Sequence, residues 1–143
     1  MEKKEHRLKC TVLSRKDKSI YYLSKLRKGK IHDYKMLKNH FPPSFHWFDK
    51  STVHIDLGYQ GFENDYWAKI ALIPFKKNEK ELGDLKKAYN RKLAQWRIVL
   101  EHAIGGMKRY RILAERIRLK SIHQIDTILE VCAGLWNFHI RFG

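Results

Sequence analysis

One segment of the chain sets a single acid among basic side chains at helical spacing. Residues 95–113, QWRIVLEHAIGGMKRYRIL, contain Glu101 as their one carboxylate. Arg97 precedes it by four positions and Lys108 follows it by seven, so the three residues share one face of a helix that turns about 100° per residue. A solvated Arg–Glu pair at this spacing, worth about 0.2–0.5 kcal/mol, is the simplest interpretation.

Two further features of the sequence favour chemistry over a simple surface pair. Gly105 and Gly106 follow Glu101 by one turn, and each glycine inside a helix costs about 1 kcal/mol relative to alanine. We expect a close approach of another backbone or of a ligand, such as a DNA strand, to offset that cost. Asp56 ends a β-rich run and precedes a glycine-containing turn. Asp56 could simply initiate the turn, but together with Glu101 it suggests a carboxylate site for Mg²⁺.

The histidines and cysteines give weaker signals. His32, His40, His46 and His54 lack the HxxxH or HExxH spacing of a zinc site. His102 adjoins Glu101 but points about 100° away around the helix, so spacing assigns it no role. The two cysteines, at positions 10 and 132, are far apart, and we expect them to be buried apolar residues.

The charge of the chain indicates a polyanionic partner. The 143 residues carry a net charge of +15, with 43% hydrophobic residues, which is enough for a packed core. Residues 1–30 hold 11 Lys/Arg against 3 Asp/Glu, residues 31–75 hold 4 against 5, and residues 76–143 hold 15 against 7. A near-neutral middle between cationic flanks suits an acidic site within a DNA-binding surface, although a uniformly solvated basic surface is the alternative. No long apolar run or signal peptide is evident, so we expect an intracellular protein that does not bind membranes.

Periodicity predicts a mixed α/β domain in the order β-β-α-β-β-α-α. Residues 6–27 alternate as a hairpin, with Gly29 at its end. A short helix follows, with Asp33 as its predicted N-cap and Pro42 and Pro43 as its stop. STVHIDLGY is predicted to be a strand with Val53 and Ile55 on one face and His54 and Asp56 on the other. AKIALIPF is predicted to be a strand buried on both faces.

Two long helices complete the prediction. The first begins near Leu82 and extends to Tyr110, and a second follows Ser121, which forms a capping box with Gln124. Both carry apolar residues at steps of three and four, typical of core-facing seams. The seam of the first is Leu85, Tyr89, Leu93, Trp96, Leu100, Ala103, Met107 and Tyr110, and that of the second is Ile122, Ile125, Leu129, Cys132, Trp136 and His139.

In its motifs and their order, the chain resembles the C-terminal half of a DDE-type transposase. The resemblance is to the insertion-sequence-five family, related to the Harbinger-like nucleases, and it covers nearly the whole chain. It is carried by GKIHDYKMLK, HIDLGYQG, IPFKK, AYNRKLAQWRIVLEHAIGGMKRYRIL and LWN. Related transposases carry a Tyr-x2-Arg-x3-Glu-x6-Lys signature, which Arg97, Glu101 and Lys108 fit, whereas Ala94 stands at the position of the tyrosine.

The resemblance implies a fold, a metal and a set of site residues. The fold would be a ribonuclease H-like mixed sheet with flanking helices, in which three carboxylates hold Mg²⁺ or Mn²⁺ for the cleavage and joining of DNA strands at element ends and target. Asp56 and Glu101 would be the second and third of these catalytic, metal-binding carboxylates. Arg97, Lys108, Arg109 and Arg111 would then bind DNA.

The chain departs from the family pattern at its first catalytic aspartate. That residue normally lies on the first, central strand, upstream of the segment similar to KKEHRLKC. Among the nearby acids, Glu2 and Glu5 lie at the terminus and Asp17 in the hairpin turn, so none is a good substitute. Without the strand, we expect the hairpin to close onto the Asp56 strand, another chain to supply the strand, or a loose fold.

These observations leave several functions open. Residues 1–143 would be the C-terminal portion of a bacterial transposase catalytic domain, cytoplasmic and nucleoid-associated, that requires an upstream half or a second copy. The alternative is an inactive remnant that acts at most as a basic DNA-binding module. A ribosomal-type RNA-binding protein would explain the charge but not the spacing of Arg97, Glu101 and Lys108.

Overall fold

The chain folds into two compact units of mixed α/β structure. The computed structural model describes residues 8–29, 31–76, 83–114 and 121–143. Unit 1 comprises Met1–Ile31 and Val99–Gly143, and unit 2 comprises His32–Ile98. Among the described residues, no helix is long and apolar enough to cross a membrane.

Unit 1 begins with an antiparallel hairpin, as the sequence predicts. Strand β2 (Val12–Ser14) pairs with β3 (Ile20–Leu23). The short strands β1 (Leu8–Lys9) and β4 (Arg27–Lys28) pair with each other. Asp17 closes the turn, because its carboxylate accepts hydrogen bonds from both the backbone N–H and the hydroxyl of Ser19. These bonds lower the pKa of Asp17. The predicted hairpin residues 6 and 7 lie outside the described residues.

Three helices complete the elements of the chain's C-terminal part. Helix α3 (Asp84–Lys108) passes from unit 2 into unit 1, and a single turn α4 (Arg111–Ala114) follows it. Helix α5 (Ile122–Phe142) has Ser121 at its N-cap position, as predicted, but the Ser121 side chain makes no capping hydrogen bond. The predicted start near Leu82 lies outside the described residues, and Leu85 is 88% exposed, so the apolar seam of α3 does not reach its first turn.

The core of unit 1 joins the hairpin to the helices. Ile20 packs with Ala103, Met107 and Ala133, and Trp136 lies against this cluster. Polar side chains of α5 also fasten the hairpin backbone. The Asn137 amide accepts from the Ile20 N–H at 2.7 Å and donates to the Ile20 carbonyl at 2.9 Å. The buried Asp126 carboxylate accepts from the Leu26 N–H at 2.7 Å. Because these groups would otherwise lack partners in a dry interior, each bond fixes the hairpin on α5.

Unit 2 is built on two parallel strands. Strand β5 (Phe48–His54) pairs with β6 (Ala68–Leu72), and the connection between them contains a 3₁₀ turn (Leu57–Tyr59) and the short helix α2 (Phe62–Asp65). The sequence analysis does not foresee α2. Helix α1 (Asp33–His40) precedes β5. The core cluster comprises Leu37, Ile55, Phe62 and Tyr66, with half-buried aromatic residues around it.

Two predictions for unit 2 are wrong in detail. His32, not Asp33, occupies the N-cap of α1, and Asp33 is the first helical residue, where its charge still favours the helix N-terminus. Strand β6 is not buried on both faces, because Lys69 and Ile70 are exposed and Ile70 retains 47% of its accessible surface. An apolar run alone does not separate a central strand from an edge strand, and β6 has a single neighbour among the strands that the structure describes.

The described strands form three separate two-stranded sheets. In these residues β5 pairs only with β6 and β2 only with β3. The predicted mixed α/β class is confirmed. Each sheet lacks the hydrogen-bonding partners of a wider sheet along its free edge.

Candidate functional site

Asp56 lies just beyond the carboxyl end of β5, where its backbone is held on both sides. The preceding residue, Ile55, is buried, and its N–H donates to the Leu72 carbonyl at 3.0 Å, extending the parallel ladder. Asp56 itself caps the following 3₁₀ turn, since its Oδ1 accepts from the Leu57 N–H at 2.8 Å. The turn-initiating role considered from the sequence is therefore real, and it fixes the direction of the carboxylate.

The same carboxylate is paired with a cation of α3. Arg97 Nη1 lies 3.5 Å from Asp56 Oδ1, and the two side chains are 61% and 51% exposed. Such an exposed pair contributes only about 0–1 kcal/mol. Its importance is positional, because it brings together two of the residues singled out from the sequence, which lie 41 positions apart.

Alternation along β5 explains why α3 meets Asp56. His54, two residues earlier, stacks on Trp96 with ring centroids 4.7 Å apart, whereas Val53 and Ile55 pack into the opposite core. His54 and Asp56 therefore lie on the same side of the chain, as predicted, although Asp56 lies beyond the end of β5; Trp96 and Arg97 contact this side. Partial burial lowers the pKa of His54. This contact between strand and helix is not predicted from the sequence; the adjacent Trp96 and Arg97 were the available signal.

Unit 1 carries the remaining predicted site residues on the last turns of α3 and just after it. Glu101 and Lys108 are exposed on α3, Arg109 follows its last residue, and Arg111 begins α4; Arg109 and Arg111 are exposed too. The Arg109 N–H donates to the Gly105 carbonyl at 3.0 Å, which continues the helical turn past Lys108. Three cationic side chains thus lie within four residues, and the dipole of α3 favours Lys108 and Arg109 at its C-terminus. Glu101 belongs to unit 1 and Asp56 to unit 2.

The two glycines of α3 have different surroundings. A Cβ added to Gly106 would lie closer than 3.0 Å to three atoms of the Trp136 ring, whereas nothing lies within 4 Å of one added to Gly105. The predicted close approach therefore exists at Gly106, but the group that approaches is an indole of α5 and not a ligand. Gly105 is exposed and leaves open surface one turn after Glu101.

The described residues supply a limited set of metal donors. Nowhere in residues 8–29, 31–76, 83–114 and 121–143 do three or more His, Cys, Asp or Glu side chains cluster as a metal site would require. Cys10 and Cys132 are free thiols whose pKa values are raised by burial; Cys132 is buried as expected, whereas Cys10 is only half-buried. Exposed carboxylates such as Asp56 and Glu101 suit a hard cation that keeps waters and takes one or two carboxylates.

Comparison with known proteins defines the class of the chain. Residues 1–137 match the model of the DDE superfamily endonuclease family, so the chain belongs to that family. The chain is similar to the probable transposase for insertion sequence element IS702 of Microchaete diplosiphon, with 31% identity over 138 residues. That alignment covers 95% of this chain and 48% of the relative, so the chain spans about half the length of the transposase it matches. No solved structure matches the chain significantly.

Proposed function

We propose that residues 1–143 are the C-terminal portion of a transposase catalytic domain of the insertion-sequence-five group, with a ribonuclease H-like arrangement. The activity would be metal-dependent cleavage and transfer of DNA strands, in the bacterial cytoplasm at the nucleoid. The observation that carries the proposal is Asp56: an exposed carboxylate, held by a cap at the end of β5, with Arg97 beside it. Family membership and the similarity to a transposase support the same activity.

Asp56 and Glu101 are the proposed metal ligands, and Mg²⁺ or Mn²⁺ the proposed ion. Each is an exposed carboxylate of the kind that suits such an ion. We propose that a further carboxylate comes from an upstream segment or a second copy of the chain. A bound ion would stabilise the charge that develops on the phosphodiester oxygens.

The proposed roles of the basic residues follow from their charge and exposure. Arg97 lies beside Asp56 and offsets the negative charge of this carboxylate, which would hold a metal ion. Arg97, Lys108, Arg109 and Arg111 would then bind DNA phosphates, for which guanidinium groups offer paired donors. Such contacts position the strand without reading its sequence.

An inactive remnant is the second candidate, and the lack of a three-donor cluster in the described residues favours it. In that case the cationic surface would bind DNA but no metal chemistry would follow. The two candidates differ in metal binding and in strand cleavage, not in DNA affinity.

A nicking assay on DNA from the element's ends separates them. The chain is incubated with Mn²⁺, alone and with the upstream half supplied as a second polypeptide. We expect cleavage only with the upstream half, and its loss in Asp56→Ala and Glu101→Ala. Glu63→Ala is the matched control, because Glu63 is an exposed acid of unit 2 outside the proposed site. Cleavage that survives Asp56→Ala, or that is lost equally in Glu63→Ala, would refute the assignment; no cleavage in any mixture would favour the remnant.

A further inference from the structure

Helix α5 carries a second apolar seam that the core of unit 1 does not use. Its buried residues include Ile125, Cys132 and Ala133, and Ala133 packs with Ile20 of the hairpin and with Ala103 and Met107 of α3. A separate set of large apolar residues stays exposed: Val131 at 54%, Leu135 at 47%, Phe138 at 64% and Phe142 at 65%. We call these four residues the outer seam.

The spacing of the outer seam is that of a helix-pairing surface. Its residues follow one another at steps of four, three and four, so at about 100° per residue they lie within roughly 60° of one another. Half-buried Ile128 extends the seam by one step toward the N-terminus of α5. A stripe this narrow, repeated every three or four residues, is the pattern that pairs two helices side by side. The Phe138 and Phe142 rings already lie against each other, with centroids 4.8 Å apart.

The charge of α5 excludes DNA as the occupant of this seam. The chain has 30 Lys and Arg residues, yet Arg141 is the single one in α5, which also carries Asp126 and Glu130. A polyanion would find almost no phosphate partner here. Conversely, a strongly basic chain repels its own copies, and of the two long helices α5 is the one on which two copies meet with less repulsion.

Charge complementarity favours a second copy of α5 as the partner and an antiparallel orientation of the two helices. Glu130 and Arg141 both lie about 100° to the same side of the outer seam. In an antiparallel pair of α5 helices related by a two-fold axis near Leu135, equivalent flanks face each other. Residue 141 of one copy then lies within about one residue, ~1.5 Å of rise, of the level of residue 130 of the other. Each interface would therefore contain two Arg141–Glu130 pairs, and a parallel pair would contain none. Glu130 is exposed and also pairs with Lys25 of its own chain at the rim.

We propose that the outer seam of α5 is a homodimer interface in which two copies of this chain pair their α5 helices antiparallel. Phe142 of one copy then packs against Ile128 of the other, and Leu135 packs against its own equivalent at the two-fold axis. The inference is independent of the metal site.

Sedimentation equilibrium of the full chain over a wide concentration range tests the proposal. The chain should be a dimer that dissociates on dilution, and Leu135→Glu should raise the dissociation constant by about tenfold or more, since a central apolar anchor is replaced by a charge. Ile112→Glu is the matched control, because Ile112 is 51% exposed on α4 and lies off the seam, and it should leave the constant unchanged. A monomer at all concentrations, or a dimer insensitive to Leu135→Glu, would overturn the proposal.

Cysteine cross-linking tests the direction of the pair in a Cys10→Ser background. Leu135→Cys should form a disulfide-linked dimer, and Phe142→Cys should link to Ile128→Cys in a mixture but not to itself. Self-linking of Phe142→Cys would indicate a parallel pair and overturn the proposal. A monomeric chain whose outer seam is protected only when an upstream half is added would overturn it too, because the occupant would then be that segment.

Discussion

Replacing Gly106 by alanine should destabilise unit 1, although alanine is the better helix former. The gain in helix propensity is about 1 kcal/mol. Against it stands the Trp136 ring, which a new methyl group would meet at less than 3.0 Å, and overpacking of this kind costs about 1–3 kcal/mol. The indole cannot move without loss, because its Nε1–H donates to the Lys18 carbonyl at 2.9 Å, a bond worth about 0.5–1.5 kcal/mol. We therefore expect a net destabilisation of about 1–3 kcal/mol.

Gly105→Ala provides the matched control in the same turn. Nothing lies within 4 Å of a Cβ at Gly105, so this variant should gain stability, by up to about 1 kcal/mol. Urea unfolding followed by circular dichroism compares the two variants with the parent chain. If both substitutions shift the midpoint in the same direction, the packing of Trp136 on Gly106 does not explain the glycine pair.

Three further predictions concern single side chains. Arg97→Ala should weaken DNA binding and reduce the slope of log affinity against log salt by about 1, because one phosphate contact is lost. Asn137→Leu should cost about 1–3 kcal/mol of unfolding free energy by stranding buried backbone groups of β3, whereas Asn90→Leu, which frees exposed groups, should cost less. Tyr34→Phe should raise the pKa of Asp65, because the Tyr34 hydroxyl donates to that carboxylate and lowers its pKa; an NMR titration measures it.

Each of these predictions has an outcome that contradicts it. Lys92→Ala removes an equal, exposed charge from another face of α3. If it reduces the salt slope of DNA binding as much as Arg97→Ala does, Arg97 has no specific role in DNA binding. If Asn137→Leu and Asn90→Leu lower the unfolding free energy equally, burial of the backbone groups does not determine the loss. The lowered pKa of Asp65 contributes stability above the unfolded-state value, about 3.9, and that stability is lost as pH falls through the folded-state pKa. An unchanged Asp65 titration in Tyr34→Phe would contradict the assigned hydrogen bond.

Local patterns in the sequence predict the helices and strands of this chain better than they predict which of these elements pack together. Alternation is enough to predict the hairpin and the shared face of His54 and Asp56, and the three-and-four spacing is enough for α3 and α5. The exposure of Ile70 in β6 could not be predicted, because it depends on how many strands flank β6. The group that approaches Gly106 could not be identified either, since Trp136 lies thirty positions away. The ion pair of Asp56 with Arg97 required the packing of α3 on β5.

The fastening of the hairpin by α5 has a consequence for synthesis of the chain. Ile20 and Asn137 are separated by 117 positions, so at about 5–20 residues per second the hairpin is made about 6 to 23 s before its partner helix. Unit 2, whose contacts close within residues 32–98, needs no such wait. The nascent hairpin therefore spends those seconds with its strand edges and its apolar face uncovered, open to a holding chaperone, and limited proteolysis of chains stalled before residue 122 should cleave it while sparing unit 2.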